Sequence, residues 1–391
     1  MSTASRRRAY AGPAIFSFGF RPFFLLGAAW AAISAPLWVW SFVSGQGLLT
    51  REWHIHEMIF GALAAIVAGF LTTAVPNWTG RMPVIGAPLA GLVGLWLAGR
   101  IAMLLPGLAP GVAAVVDSAF LLVFAAIIWR EVAAGRNWRN LPVCLLLTLM
   151  AAGNLLFHLR PSGWDFDMAW RTGLAAVAML IALIGGRITP SFTNNWLKAQ
   201  GRTPSARPES RFDHLILLGS AASLAAWIAA PSAAATGLGL GLAGLANLVR
   251  LVRWRGWRAA AEPLVWILHL GYFWLALSLM LMGLSAVLPE APTTLGVHAL
   301  TVGAVGVMTL AVMTRASRGH TGRDLSADRS VQAIYLLANL AAVLRLAAAA
   351  AGYHPELLAA SVAAWSGAFG LFVVTHSPML TRPRPIAARR A

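Results

Sequence analysis

The strongest constraint on this fold is a series of apolar runs, each near the ~20 residues that cross a bilayer as a helix. Hydrophobic residues make up 59% of the 391 residues and charged residues 11%, whereas a soluble domain carries about 25% charged residues. Only helices and closed barrels satisfy their backbone groups in lipid. We therefore predict an all-α, polytopic transmembrane helical bundle of about twelve spans, at roughly 23–43, 55–75, 84–104, 111–129, 142–158, 171–187, 213–230, 234–252, 263–287, 296–314, 330–350 and 357–376.

The placement of arginine predicts the orientation of these spans. If the N-terminus is inside, most of the 30 basic residues fall in connections on that same side. Basic residues mark cytoplasmic loops, so we expect both termini to be cytoplasmic. The net charge of +17 then reflects topology, and the partner is the lipid bilayer rather than nucleic acid. We expect one integral membrane domain over 1–391, with a basic cytoplasmic loop at 189–212 between two six-span halves.

Ionisable residues stand at the head of the second run, in the stretch WHIHEMIFG (53–61). Such groups are costly in a membrane and need partners or a bound ion. On a regular helix His54 and Glu57 share a face, while His56 points elsewhere. A strip of small residues at four-residue steps continues from Glu57, where either a flat macrocycle or another helix would fit: Gly61, Ala65 and Gly69.

His298, at the start of the tenth span, is expected at the same outer depth as these histidines. Neutral imidazole suits both haem iron and copper. One interpretation is that His54, His56 and His298 are metal ligands, with Glu57 either supporting a ligand through a hydrogen bond or acting as a catalytic proton donor. The other is that they form hydrogen bonds at the interface and close the end of the bundle. We expect His158, with the remaining unsupported histidines, to be an interface or loop residue.

A second group of candidates lies nearer the cytoplasmic side. His269, inside the ninth span, suits either a haem ligand or a core histidine bonded to a carbonyl. His320 lies in a predicted loop with arginines that either bind haem propionates or only set topology, namely Arg315, Arg318 and Arg323. Two arginines fall within spans: we expect Arg100 to reach the headgroups and Arg345 to pair with a carboxylate or a propionate.

Several longer strings resemble the NnrS family of bacterial membrane proteins. The strings occur in family order over nearly the whole chain: FRPFFLLGA (20–28), WHIHEMIFG (53–61), AGFLTTAVPNWTG (68–80), GGRITPSFTNNWL (185–197), LHLGY (268–272), HALTVGAVGVMTLAVMTRASRGHTGR (298–323) and THSPML with RPRP near the end. One departure concerns His376, where the family resemblance leads us to expect an aromatic residue.

The resemblance implies a protein of the bacterial inner membrane that contains haem b and copper and acts in the nitric oxide response and nitrosative stress resistance. It favours metal ligation by His54, His56, His298 and His269, and cofactor binding by His269, His320, Arg315, Arg323 and Arg345. The protein then either reduces nitric oxide, as a nitric oxide reductase-like oxidoreductase with an unknown electron donor, or binds it without turnover as a sensor or protective protein. Without the resemblance, twelve spans also fit a secondary transporter.

Overall fold

The computed structural model describes residues 10–384 except 46, 48, 106, 160–165, 208 and 289. Within these residues the chain is all helical, and twelve helices are long and apolar enough to cross a membrane. The predicted twelve-span architecture is confirmed. Arg6–Arg8, Arg160, Arg389 and Arg390, which entered the arginine pattern, lie outside the described residues. The helices are α1 Phe20–Val43, α2 Arg51–Thr79, α3 Ala87–Leu104, α4 Pro110–Ala134, α5 Trp138–His158, α6 Phe166–Ala199, α7 Arg211–Ala229, α8 Ala234–Arg253, α9 Pro263–Val287, α10 Thr293–His320, α11 Arg329–Ala350 and α12 Pro355–Thr381.

Two helices run further than their apolar patterns indicate. α6 continues through Pro190 to Ala199, so the first part of the predicted loop at 189–212 is helical. α10 likewise continues to His320, so the prediction of a loop at this residue is wrong. In a membrane bundle a proline does not by itself end a helix, because neighbouring groups satisfy the freed carbonyl. Polar residues therefore extend both helices beyond the apolar core.

The packing recurs every four helices. Contacts join α1 with α2, α5 with α6 and α9 with α10. They also join α1 with α12, α4 with α5 and α8 with α9. The three helices α2, α6 and α10 each contain a π-helical segment, at Glu57–Leu63, Ile181–Gly185 and Ala299–Gly306. Since α6 contacts both α2 and α10, these three helices form the centre of the bundle.

The strip of small residues on α2 is covered by a helix. A Cβ atom on Gly69 would lie 2.8 Å from the ring of Phe24, and one on Gly27 would lie 3.1 Å from the Cβ of Ala65. Phe24 and Gly27 belong to α1. The sequence allowed either a flat macrocycle or another helix against this strip. At Ala65 and Gly69 the structure has a helix, α1.

The two ends of the bundle differ in character. We call the end at which α2, α6 and α10 begin the cavity end, because a large cavity opens there. The other, the basic end, carries the arginine-rich connections, including Arg253, Arg255 and Arg258. Large apolar side chains such as Leu218 and Leu242 point outward from the helices, as expected for surfaces that face lipid.

Candidate functional site

A cavity of about 860 Å³ lies at the cavity end, between the central helices and α1, α11 and α12. Its volume falls in the range of roughly 300–1,000 Å³ seen for small-molecule and cofactor sites. Most of the wall is apolar and aromatic, with Trp38 on α1 and Trp365 on α12. Its charged and ionisable lining residues are His54, His298 and Arg345, together with Arg51, Asp167 and Arg171. Two of the predicted metal ligands and one predicted cofactor-binding residue thus share this wall.

His54 is held by ring stacking rather than by hydrogen bonds. It lies in the first turn of α2, where the Thr50 side chain accepts a hydrogen bond from the Trp53 N–H and caps the helix. The imidazole stacks on Trp38, with ring centroids 4.2 Å apart and an interplanar angle of 20°. Its Nδ1 is buried and has no hydrogen-bond partner among the described residues. A buried imidazole nitrogen without a partner fits a ligand that binds there.

His298 has a defined tautomer. Its Nδ1 lies 2.8 Å from the Thr294 carbonyl oxygen, and because a carbonyl only accepts, Nδ1 carries the hydrogen. Nε2 therefore presents its lone pair and accepts a hydrogen bond of 3.0 Å from the Arg345 Nη2. This lone pair is the atom that would bind a metal, and the Arg345 guanidinium covers it.

Arg345 is a half-buried cation on the cavity wall. Its guanidinium lies 5.5 Å from the centre of the Tyr353 ring, and its Nη1 is buried without a hydrogen-bond partner. Among the described residues no carboxylate forms a salt bridge with it. A cation that lacks a protein counter-ion and lines an apolar cavity fits a ligand that brings an anionic group.

His56 faces away from the cavity, toward two carboxylates. Its Nδ1 lies 2.9 Å from Glu57 Oε1 and its Nε2 lies 3.0 Å from Asp117 Oδ2. Ionised carboxylates only accept hydrogen bonds, so when both acids are ionised and no ion is bound, both ring nitrogens donate and the ring is an imidazolium. The Glu57 N–H bonds to the Trp53 carbonyl, so the chain is α-helical up to Glu57, where the π-helical segment begins. His54 and Glu57 both reach α1, where His54 stacks on Trp38 and Glu57 accepts from Trp30; that they share a face stays a prediction.

Arg100 completes the charge balance of this cluster. Its Nη1 donates to both oxygens of Glu57 at 3.0 and 2.9 Å, and its Nη2 donates to Asp117 Oδ1. The prediction that Arg100 reaches the headgroups was therefore wrong, because two buried acids hold its side chain. Two carboxylates face one guanidinium and one imidazolium, so the net charge of the cluster is zero. Trp30 adds a hydrogen bond of 2.6 Å from its Nε1 to Glu57 Oε2.

A glycine makes this arrangement possible. A Cβ atom on Gly61 would lie 2.3 Å from the Arg100 Nη1 and 2.8 Å from Glu57 Oε2. Both distances are shorter than van der Waals contact, so a side chain at this position would displace the guanidinium. Trp96, one turn before Arg100 on α3, donates to the Gly61 carbonyl at 3.0 Å and fixes α3 against α2.

His158 and Asn154 on α5 also bind Asp117, which the sequence reasoning missed. Asp117 Oδ2 accepts from His158 Nε2 at 3.0 Å and from Asn154 Nδ2 at 2.9 Å. The available signal was that Asp117 begins one predicted span and His158 ends the next, so the two share one depth. We refer to His56, Glu57, Arg100, Asp117, Asn154 and His158 as the closed cluster.

The closed cluster also has the donor atoms of a metal site. The ligand atoms of His56, Asp117 and His158 all lie within 4.8 Å of one another. Asn154 Oδ1 lies 3.0 Å from His56 Nε2 and supplies a fourth oxygen or nitrogen donor. Bonds of about 2.0–2.1 Å in a tetrahedral site place ligand atoms roughly 3.3 Å apart. The ligand atoms that lie 3.0 Å apart would have to move apart by a few tenths of an ångström to hold an ion. This shift is small, so the residues fit a metal ion.

His269 lies near the basic end, outside the wall of the cavity. Its Nε2 is 2.9 Å from the Thr193 hydroxyl, and its Nδ1 is buried without a partner among the described residues. A Cβ atom on Gly256 would lie 2.6 Å from that Nδ1, so the backbone of this connection covers the ring. The Trp254 ring packs edge-on at 6.2 Å. Its role as a haem ligand stays a prediction.

Arg315, His320 and Arg323 also belong to the basic end. The Arg315 guanidinium lies 4.0 Å from the centre of the Phe192 ring, and Arg323 donates to the Thr321 hydroxyl at 2.8 Å. His298 and His320 sit at opposite ends of α10, and a rise of about 1.5 Å per residue puts them about 33 Å apart. One haem therefore cannot contact both ends, and any cofactor role of these three residues requires a second site.

His376 lies within α12, where the family resemblance leads us to expect an aromatic residue. Its ring is buried and stacks on Phe372, with centroids 4.4 Å apart and an interplanar angle of 16°. Its Nδ1 forms a hydrogen bond of 2.8 Å with the Thr375 hydroxyl. The imidazole thus takes the place of a flat ring in the packing of the helix.

Comparison with known families gives one finding. A family model described as "NnrS protein" matches residues 14–384, a range that includes the cavity wall, the closed cluster and the basic end. No curated protein matches the sequence.

Proposed function

The chain belongs to the NnrS family, and on that premise we propose that it is a haem-binding and copper-binding protein of the bacterial inner membrane that acts on nitric oxide in the response to nitrosative stress. The observation that carries the proposal is the large cavity whose wall combines two histidines with Arg345, which forms no salt bridge to a carboxylate in the described part of the chain. The proposed ligand of the cavity is haem b, which supplies an iron centre able to bind nitric oxide.

The chain's own residues would hold the haem as follows. The unpartnered Nδ1 of His54 and the lone pair of His298 Nε2 are the two candidate iron ligands. The Arg345 guanidinium would pair with a propionate, and in doing so would release His298 Nε2. Trp38 and Trp365 supply flat apolar walls that exclude water from the macrocycle. His54 and His298 belong to the central helices α2 and α10, which fix their positions.

We propose the closed cluster as the copper site. Two imidazole nitrogens, a carboxylate oxygen and an amide oxygen suit a first-row metal such as copper. A metal at His56 Nε2 takes the place of a proton there, because metal ligation requires the deprotonated ring. A cuprous ion carries the same single charge as that proton and would keep the cluster neutral. Glu57 would not be a ligand in this arrangement; it would accept from His56 Nδ1 and fix the ring.

The proposed orientation follows from charge. The basic end lies in the cytoplasm by the positive-inside rule, so the cavity opens on the opposite side of the membrane. Nitric oxide is small and uncharged, so it partitions into lipid and reaches the cavity without a polar channel. The protein either reduces nitric oxide with electrons from a separate donor or binds it protectively.

Metal and pyridine-haem analysis of protein purified from membranes tests this assignment. We expect a Soret band and copper in the wild type, and a loss of haem in a His54→Ala, His298→Ala double variant that keeps its copper. His158→Ala should lose copper and keep haem. His354→Ala, which changes an exposed histidine at the same end, is the matched control. A colourless wild type, or histidine variants that all keep both cofactors, would contradict the proposal.

Kinetics separate the two modes of action. Anaerobic nitric oxide consumption by the reduced, haem-loaded protein distinguishes turnover from stoichiometric binding. Consumption of many equivalents per haem in the presence of an artificial electron donor identifies a reductase. Consumption that stops at one or two equivalents identifies a binding or protective protein.

A further inference from the structure

A second, much smaller space continues inward from the large cavity. It has a volume of about 40 Å³ and lies among the central helices and their neighbours α1 and α12. We call it the inner chamber. Ala62 and Leu63, in the π-helical segment of α2, face Val305, in that of α10, across it. The residues that it shares with the wall of the large cavity are Met58, Ile59, Leu174, Thr301 and Trp365.

The polar atoms of the chamber wall already have partners. The Thr301 hydroxyl donates to the Val297 carbonyl at 3.0 Å, and the Thr309 hydroxyl donates to the Val305 carbonyl at 2.7 Å. The Trp365 Nε1 donates to the Ala31 carbonyl at 2.9 Å. A buried water needs two to four hydrogen-bond partners, and an apolar cavity that lacks them stays dry and takes up apolar ligands such as xenon.

The size of the chamber restricts its ligand further. A single water requires about 10–15 Å³ on this measure, so the chamber holds an object a few times larger at most. A diatomic gas or a xenon atom fits, and an amino acid, a sugar or a nucleotide does not. The absence of charged residues among those that line it also excludes ions.

We propose that the inner chamber is a binding site for an uncharged diatomic gas, poised beside the large cavity. The identification of that gas as nitric oxide rests on the proposed function, whereas the gas site itself does not. The chamber would raise the local concentration of an apolar gas next to any ligand of the large cavity. A gas released from that ligand would also stay nearby instead of escaping to lipid.

Xenon is the direct probe, because it reports on the chamber whether or not haem is bound. Wild-type protein in nanodiscs, with empty nanodiscs as the blank, should show a saturable ¹²⁹Xe chemical-shift change. Ala62→Leu fills the chamber and should weaken this binding at least about tenfold. Ala222→Leu makes the same change at an exposed position in α7 and should bind as the wild type does. Because Ala62→Leu can disturb packing, Val305→Ala serves as a second variant that enlarges the chamber and should strengthen binding.

The outcomes are distinct. No saturable xenon binding in the wild type, or equal binding in the Ala62→Leu and Ala222→Leu variants, overturns the gas site. A protein that binds xenon but purifies without haem overturns the proposed function and keeps the gas site. In haem-loaded protein, carbon monoxide photolysis gives a further readout: the fraction that rebinds before escape should fall in Ala62→Leu and stay unchanged in Ala222→Leu.

Discussion

Two regions of the molecule share one layout and differ in charge. In each, a histidine directly precedes a π-helical segment, and an arginine from the next helix binds at this junction, to Glu57 in one region and to His298 in the other. His56 and Arg100 occupy these positions on α2 and α3, and His298 and Arg345 on α10 and α11. The two helix pairs are eight helices apart, in keeping with packing that recurs every four. We call the second region the open pair.

The acids make the difference. Glu57 and Asp117 neutralise the first region, where every charged group is buried and paired. Among the described residues no acid forms a salt bridge with the open pair, and the cavity beside it has Asp167 elsewhere in its wall. A buried charge needs a partner from the protein or from a ligand. The same layout thus produces a charge-neutral cluster where acids are present and a cationic cavity wall where they are not.

The largest expected effect is on stability when the closed cluster loses an acid. Asp117→Asn keeps the shape of the side chain but leaves Arg100 and His56 with one carboxylate between them. Breaking a buried ion pair costs about 3–5 kcal/mol, so the unfolding midpoint in detergent should fall sharply. Arg345→Met, at the open pair, removes a charge that has no acid partner. The lost hydrogen bond to His298 is offset in part because burying an unpaired cation is costly, so the free energy of unfolding should fall by less than about 3 kcal/mol. Equal losses in the two variants would contradict the distinction.

The next effect is on the affinity for haem, and here the open pair, not the closed cluster, should show the larger loss. Arg345→Met removes the proposed partner of a propionate, and hydrogen bonds to charged groups contribute about 1.5–3 kcal/mol. Haem titration of the apoprotein should therefore show binding weaker by about 10- to 100-fold. Arg202→Met, at the basic end, is the matched control and should not change haem affinity. Unchanged affinity in Arg345→Met would show that the open pair does not hold the anionic group.

Much of the architecture could be predicted from the sequence. The length of an apolar run indicates a span, and the placement of arginine indicates the orientation of the spans. Contacts between distant helices could not be read in this way. Asp117 and Glu57 were recognisable as intramembrane acids, but nothing in their spacing pairs them with Arg100. The π-helical segment at Glu57–Leu63 also changes which side chains share a face, and a regular helical repeat cannot anticipate it.

The candidate site was predictable in part for the same reason. Depth placed His54 and His298 at one end, and the cavity wall contains both. The predicted depth in the membrane does not show that His56 and His54, two residues apart, face different sites. It also does not show that His158 on α5 joins His56. The pairing of His56 and His158 with one aspartate depends on helix rotation, which side-chain packing sets.

The smallest expected effect concerns a single hydrogen bond to the closed cluster. Trp30→Phe removes the donor to Glu57, whose other partners remain. Trp274→Phe makes the same change where the acceptor is the neutral Asn339 amide, at 2.9 Å. Hydrogen bonds to charged groups are worth about 1.5–3 kcal/mol and neutral ones about 0.5–1.5 kcal/mol. The loss of unfolding free energy should therefore be about twice as large for Trp30→Phe.

This last comparison tests whether Glu57 is ionised in the folded protein. If the two tryptophan variants lose equal stability, Glu57 is a neutral acid, and the cluster must hold its proton there rather than on His56. The Arg100 charge would then be balanced by Asp117 alone, and His56 Nδ1 would accept a hydrogen bond from the Glu57 carboxyl group instead of donating one. Such a result would keep the layout shared by the two regions but remove the imidazolium from the closed cluster. A metal at His56 Nε2 would still displace the proton that this nitrogen donates to Asp117, so copper loading should release one proton whichever group carries the other.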